Sequence, residues 1–270
     1  MHSWFLIPPF TADGRGNKLK RFAIRDYKGN TEAMLMLCGP DEVAAQIVAI
    51  AADRCRPKRL TEKGQENWTH AFHFPGGVSQ DVAELCDKLT DWLTIPQSQN
   101  IDLSLSLDWY KQPGDDGDLV LTRAGQLISW TKYAKYPQGS SSRQARKDLL
   151  TTLAGMIEDH PQLAAAEVVS SPPGSKGDGT SFGEQLGRDV AAKAGRRFVP
   201  MNGPARAPQK EEITRDVRDD FNLTEVVHGP VLLVDDVFHT GVTLESAALA
   251  ARRAGATSVV ALTAARTLRK

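Results

Sequence analysis

Residues 106–270 predict an α/β domain with a doubly wound parallel sheet, preceded by an α+β region over residues 1–105. Three observations lead there. From Asp148 onward, strand-like runs alternate with amphipathic helices, and such alternation implies right-handed crossovers between parallel strands. The run "VLLVDDV" starts as an unbroken apolar stretch, as a buried strand requires. Two of the helical segments end on glycines, Gly195 and Gly255, the usual residue beyond a helix C-terminus.

Taken in order, "RFAIRDY" alternates as a strand and "GNTEAMLMLCG" supplies another. "PDEVAAQIVAIAADRC" is an amphipathic helix, with Val43, Ile47, Ile50 and Ala51 on one side and Asp41 and Glu42 in its first turn. His70 and His73 in "HAFH" have a spacing two metal ligands can use. Without a third ligand nearby they read as half-exposed histidines. "VSQDVAELCDKLTDWLT" repeats the helical pattern through Val82, Leu85, Leu89 and Leu93. "KQPGDDGDLVLTRAG" is rich in turn residues ahead of a short strand, and the Gly-Ser-Ser-Ser run from Gly139 reads as a loop. A helix, "DLLTTLAGMIEDHP", is stopped by Pro161. Then follow the strand "AEVVSSP", the helix "FGEQLGRDVAAKAG", the short strand "RFVPM", the strand "VLLVDDV", the helix "TLESAALAARRAG" and the strand "TSVVALTAA".

Composition narrows the function. Thirty-three basic residues balance thirty-three acidic ones, so no global field draws the chain to nucleic acid or to an anionic membrane. Direct nucleic-acid binding is therefore not expected. Cys38, Cys55 and Cys86 are widely spaced and form no C-x-x-C pair, which fits reduced thiols in a cytoplasmic protein. The first residues lack the pattern of a signal peptide, and no apolar run is long enough to span a bilayer.

The chemistry concentrates in "VLLVDDVFHTGVT", Val231 to Thr243. Asp235 and Asp236 lie at the carboxyl end of a strand, where open α/β sheets bind ligands. The loop that follows opens a helix whose N-terminal N–H groups and dipole suit a phosphate. Gly241 lets the backbone come close, and Thr240 and Thr243 offer hydroxyls. The acids have the wrong sign for phosphate but accept hydrogen bonds from a sugar diol. A ribose 5-phosphate unit carries both features.

This stretch resembles the phosphoribosyl diphosphate (PRPP) signature of type I phosphoribosyltransferases, departing from it at Phe238 and His239. "SFGEQLGRDVAAKAG" and "RAPQKEEITRDVRDDF", the latter with Arg218 and Phe221, are similar to segments of the ComF-type branch. The zinc ribbon common at the start of that branch is absent, and the resemblance covers about residues 106 to 270. It implies a magnesium-dependent transferase that moves ribosyl 5-phosphate from PRPP to a nitrogen base and releases diphosphate. The alternative from the same branch is a non-catalytic PRPP-binding protein, with residues 1–105 as a partner-binding module linked to DNA transactions or defence. Self-association as a homodimer is also compatible.

Carried over by position, Asp235 and Asp236 hold the ribose hydroxyls, with Asp236 also counted as catalytic. The N–H groups of His239, Thr240, Gly241, Val242 and Thr243 cradle the 5-phosphate. Magnesium rests on the diphosphate and diol, with no protein cage of its own. "SSPPGSKGDG" supplies a diphosphate loop through Gly174, Ser175 and Lys176. Arg206 and Lys210 sit in a mixed-charge segment that reads either as a flexible lid over PRPP or as a solvated loop. His239 replaces an aspartate of the purine-salvage relatives. It serves either as a general acid or base or only through its backbone N–H. Residues 106–150, with Trp109, Tyr110, Trp130, Tyr133 and Tyr136, form a hood for the acceptor, its aromatics stacking on a base or filling the hood's own core.

Overall fold

A computed structural model describes residues 18–27, 31–132, 139–205 and 220–268. Tyr133 and Tyr136 lie outside the described residues, as do Arg206, Lys210 and Arg218. The chain forms two compact units, Met1–Pro96 and Gln97–Lys270.

The first unit is α+β, as expected. Strands β1 (Arg21–Tyr27), β2 (Glu32–Cys38), β3 (Arg56–Pro57) and β4 (His70–Phe74) form an antiparallel sheet in the order β1-β2-β4-β3. Buried and half-buried residues alternate along β2, so one face of the sheet, through Ala33, Leu35 and Leu37, turns into the core. Helices α1 (Asp41–Ala51) and α3 (Gln80–Asp91) supply Val43, Ile47, Val82, Leu85 and Leu89 to that core. A one-turn helix, α2 (Glu62–Gln65), lies before β4, and a short strand, β5 (Leu93–Ile95), follows α3. His70 and His73 each meet a carboxylate at 3.0 Å, Asp41 and Glu32 respectively. No group of three potential metal ligands comes together among the described residues.

In the second unit, β6 (Leu103–Trp109) is followed by a hairpin of β7 (Lys111–Pro113) and β8 (Leu119–Leu121). Then come α4 (Arg123–Lys132), α5 (Ser140–Asp159) and the short α6 (Pro161–Ala164). β9 (Val168–Ser170), α7 (Phe182–Lys193) and β10 (Arg197–Phe198) follow, with the small ladder of β11 (Met201–Asn202) and β12 (Asn222–Leu223). β13 (Gly229–Phe238), α8 (Val242–Arg253) and β14 (Ala256–Arg266) complete the unit. Five of these strands are parallel in the order β10-β9-β13-β14-β6. Val231, Leu232, Leu233 and Val234 are all fully buried, which requires cover on both faces of β13. On one face α8 packs Leu244, Ala247 and Ala251 against Val231, Leu233, Val259 and Ala261. On the other α7 lies over β13 and β9, next to α5, and an Arg146–Asp189 ion pair joins those two helices.

The fold class is as predicted, with three local differences. The second compact unit starts at Gln97, and its first strand β6, from Leu103, hydrogen-bonds in parallel to β14. Trp109, expected in a hood, is the buried last residue of that strand. The Gly-Ser-Ser-Ser run is not wholly a loop: Ser140 to Ser142 form the first turn of α5, with Gly139 as N-cap. Helix α4 has no counterpart in the expected elements. Its sequence, "RAGQLISWTK", carries a glycine, β-branched residues and an aromatic, all weak helix formers. Packing decides the matter: a Cβ at Gly125 would stand 2.0 Å from the Tyr110 carbonyl oxygen, so only glycine lets α4 press against the end of β6. The Thr122 hydroxyl accepts the Gly125 N–H at 3.1 Å and secures the first turn.

Candidate functional site

Strand order locates the site. β9 connects through α7 to β10 on one side, whereas β13 lies on the other side of β9 and continues outward to β14. The order therefore reverses between β9 and β13, and open α/β sheets bind ligands in the crevice beyond the carboxyl ends of such a pair. The two loops flanking it are residues 171–181 after β9 and 239–241 after β13.

Asp235 and Asp236 are half-buried residues near the end of β13. The Asp236 N–H donates to Asp235 Oδ1 at 2.8 Å, which turns the first carboxylate back along the strand. The same oxygen faces the first turn of α7. A Cβ at Gly183 would lie 2.7 Å from Asp235 Oδ1, so glycine is what permits this approach. Burial, and then the negative charge of Asp236, push the Asp235 carboxyl well above its ordinary value. Lys132, the last residue of α4, opposes this: its Nζ lies 2.5 Å from Asp236 Oδ2, with the ammonium 5.6 Å from the centre of the Phe182 ring.

The loop after β13 behaves as its composition implies. Gly241 is the N-cap of α8 at φ 85°, a left-handed conformation that favours glycine, and it provides no side-chain cap to the first turn. His239 and Thr240 are exposed and Thr243 is half-buried. His239 Nδ1 lies 2.6 Å from the Thr267 hydroxyl, and Thr267 N–H donates to the Phe238 carbonyl at 2.9 Å. The loop is thus tied to the end of β14, and Nε2 is the imidazole nitrogen left on the other edge of the ring. Beneath it, the buried Arg266 guanidinium lies between the Phe238 and Trp109 rings, at 5.0 and 5.5 Å from their centres.

The loop after β9 is organised by a residue that sequence inspection passed over. Glu184 Oε2 receives Gly174 N–H at 3.1 Å, Ser181 N–H at 3.2 Å and the Ser181 hydroxyl at 2.6 Å. Ser181 and Glu184 form a reciprocal capping box at the start of α7, a pattern legible as S-x-x-E in "SFGE". Gly177 N–H donates to the Gly174 carbonyl at 3.0 Å and closes a turn. Ser175 and Lys176 are exposed on that turn. The Gly174 N–H, expected to face a diphosphate, is instead taken by Glu184, because the carboxylate needs donors once α7 buries it.

Asp235, Asp236 and His239 to Thr243 thus stand together on one side of the crevice, with Ser175 and Lys176 on the loop opposite. The segment of Arg206 and Lys210 is described only at its ends. There Gly203 packs against Pro173 and Phe221, so tightly that a Cβ would lie 2.6 Å from Pro173 Cγ and 2.8 Å from Phe221 Cδ1. Trp130 is half exposed on α4. Lys132 and Gly183 escaped the sequence reading as site residues. Only the packing of α4 and α7 brings them to the acid pair.

No family model matches the sequence, and no curated protein matches it. Solved structures that it is similar to are phosphoribosyltransferases at low identity. An orotate phosphoribosyltransferase from Aeropyrum pernix is 18% identical at TM-score 0.31, covering 57% of this chain and 71% of its own. An adenine phosphoribosyltransferase from Leishmania tarentolae is 16% identical at TM-score 0.37, covering 63% and 79%. An adenine phosphoribosyltransferase from Rhodothermus marinus is 16% identical at TM-score 0.36, covering 53% and 99%. At such scores and identities these likenesses decide nothing about what the chain binds.

Proposed function

We propose that the chain binds PRPP at the β9/β13 crevice and transfers its ribosyl 5-phosphate to a nitrogen base or base-like acceptor, releasing diphosphate. The observation that carries this reading is the pairing of two unlike features on one strand end. Two carboxylates suited to a diol lie five and six residues before the N-cap of a helix whose N-terminus has no side-chain cap and suits a phosphate, at the switch point of a parallel sheet. Few ligands other than a ribose 5-phosphate satisfy both.

In this reading Asp235 and Asp236 accept the ribose hydroxyls, and the N–H groups from His239 to Thr243 take the 5-phosphate. Ser175 and Lys176 meet the diphosphate across the crevice. Departure of diphosphate leaves positive character on the ribose anomeric carbon. Orientation of the acceptor and exclusion of water then dominate the chain's contribution. Magnesium fits the oxygen-only donor set of the acid pair, although two carboxylates are too few for a protein cage, so diphosphate, diol and water complete its ligands. When bound it neutralises charge on the leaving group.

His239 is proposed as the group that exchanges a proton with the acceptor through Nε2, its ring held by the Thr267 hydroxyl on Nδ1. The test is product formation from PRPP, magnesium and a panel of purine, pyrimidine and pyridine bases. His239→Ala is expected to lower kcat by about 10²–10⁴-fold with PRPP affinity retained. Unchanged turnover removes the proton-transfer role. Tight PRPP binding with no diphosphate release for any base assigns the site to a non-catalytic PRPP-binding protein instead.

A further inference from the structure

The Lys132–Asp236 pair is unusual in where its two halves originate. Asp236 belongs to the sheet, at the mouth of the crevice. Lys132 ends α4, a helix whose position is fixed at the end of β6 by Gly125 and Thr122. The ammonium lies 2.5 Å from the carboxylate and over the ring of Phe182, the first residue of α7. It therefore bridges the acid-bearing strand and the first residue of the helix that follows the β9 loop, the loop assigned to the diphosphate in the proposed function. Side-chain exposures of 34% for Lys132 and 15% for Asp236 leave the pair reachable from solvent on the lysine side. A lysine with a flexible four-carbon stem can change partners without moving its helix.

Taking the PRPP reading as its basis, we propose that Lys132 is a further substrate-binding residue: it neutralises Asp236 in the empty site and passes to the diphosphate when the ribose diol takes Asp236. The exchange conserves charge pairing throughout. Asp236 trades an ammonium for two hydroxyl donors, and the ammonium trades a carboxylate for phosphoryl oxygens of higher charge. The same contact places a cation beside the leaving group as its negative charge grows, so Lys132 favours the departure of diphosphate as well as its binding. Selectivity follows. A sugar phosphate without the diphosphate displaces Lys132 from Asp236 and offers it less in return, so the site discriminates against ribose 5-phosphate.

The test compares PRPP with ribose 5-phosphate by calorimetric titration in magnesium, on wild type, Lys132→Met and Lys132→Arg, each first shown to unfold cooperatively. Lys132→Met is expected to weaken PRPP at least 10-fold while leaving ribose 5-phosphate within about 2-fold or tighter, and Lys132→Arg to recover most of the loss. An equal loss for both ligands, or no loss for either, overturns the role of Lys132 while wild-type binding keeps the PRPP reading intact. Failure of wild type to bind PRPP overturns both.

Discussion

At the residue scale the site rests on close approaches that single atoms permit. Asp235 illustrates the cost. Its carboxyl is raised well above the ordinary value near 3.8 by burial, with Asp236 adding to it. A carboxyl raised in the folded state contributes stability that is fully present below its unfolded value and is lost as pH rises through the folded value. Above that window the charged form destabilises the empty site. Asp235→Asn is therefore expected to raise the melting temperature of the ligand-free protein at pH 7.5 by a few degrees, about 1 kcal/mol, while weakening PRPP binding. The gain should shrink as pH falls toward 4. A lower melting temperature at pH 7.5 would show that the carboxylate, not its absence, stabilises the strand end. "VLLVDDVFHTGVT" made the acids and the glycine turn legible because they lie in one continuous stretch. Gly183 and Lys132 were not legible as partners of those acids, since their proximity depends on how two helices pack.

At the scale of elements, the three helices that carry site residues, α4, α7 and α8, have different origins. α7 announces itself in sequence through "SFGE" and an amphipathic run, and α8 through the glycine at either end. α4 does not, because its formation depends on contact between Gly125 and the end of β6 more than on intrinsic propensity. The loop after β9 depends on one carboxylate. Glu184→Ala removes the acceptor for Gly174 N–H, Ser181 N–H and the Ser181 hydroxyl at once. The expected loss is about 1–3 kcal/mol, read by denaturant titration, together with weaker binding of inorganic diphosphate. Stability unchanged within about 0.5 kcal/mol would mean that solvent satisfies these donors as well as Glu184 does. The same contact was not legible in sequence: a small glycine loop suggests free N–H groups, but a buried glutamate ten residues on takes that of Gly174.

At the scale of the whole molecule, the chain divides into two compact units, and no described helix is long and apolar enough to cross a membrane. In the first unit Cys86 is buried and its thiol is pushed up to about 12 by that burial, which suppresses thiolate chemistry near neutral pH. Its two described histidines, His70 and His73, are each engaged by a carboxylate. The alternation of strands and helices after Asp148 revealed the sheet, and β14 was legible as its final strand. The placement of β6 beside β14 was not, because a strand that joins a sheet across more than a hundred intervening residues leaves no local mark in sequence. The central claim is that the switch-point crevice of the second unit holds PRPP. The most direct measurement is thermal unfolding with PRPP and magnesium, on wild type and on the Asp235→Asn/Asp236→Asn double variant. At a hundred times the dissociation constant the ligand is expected to stabilise the wild type by about 2.7 kcal/mol, roughly 5–10 °C, with the shift absent in the double variant. No shift in folded wild type, or an equal shift in the double variant, would contradict the claim.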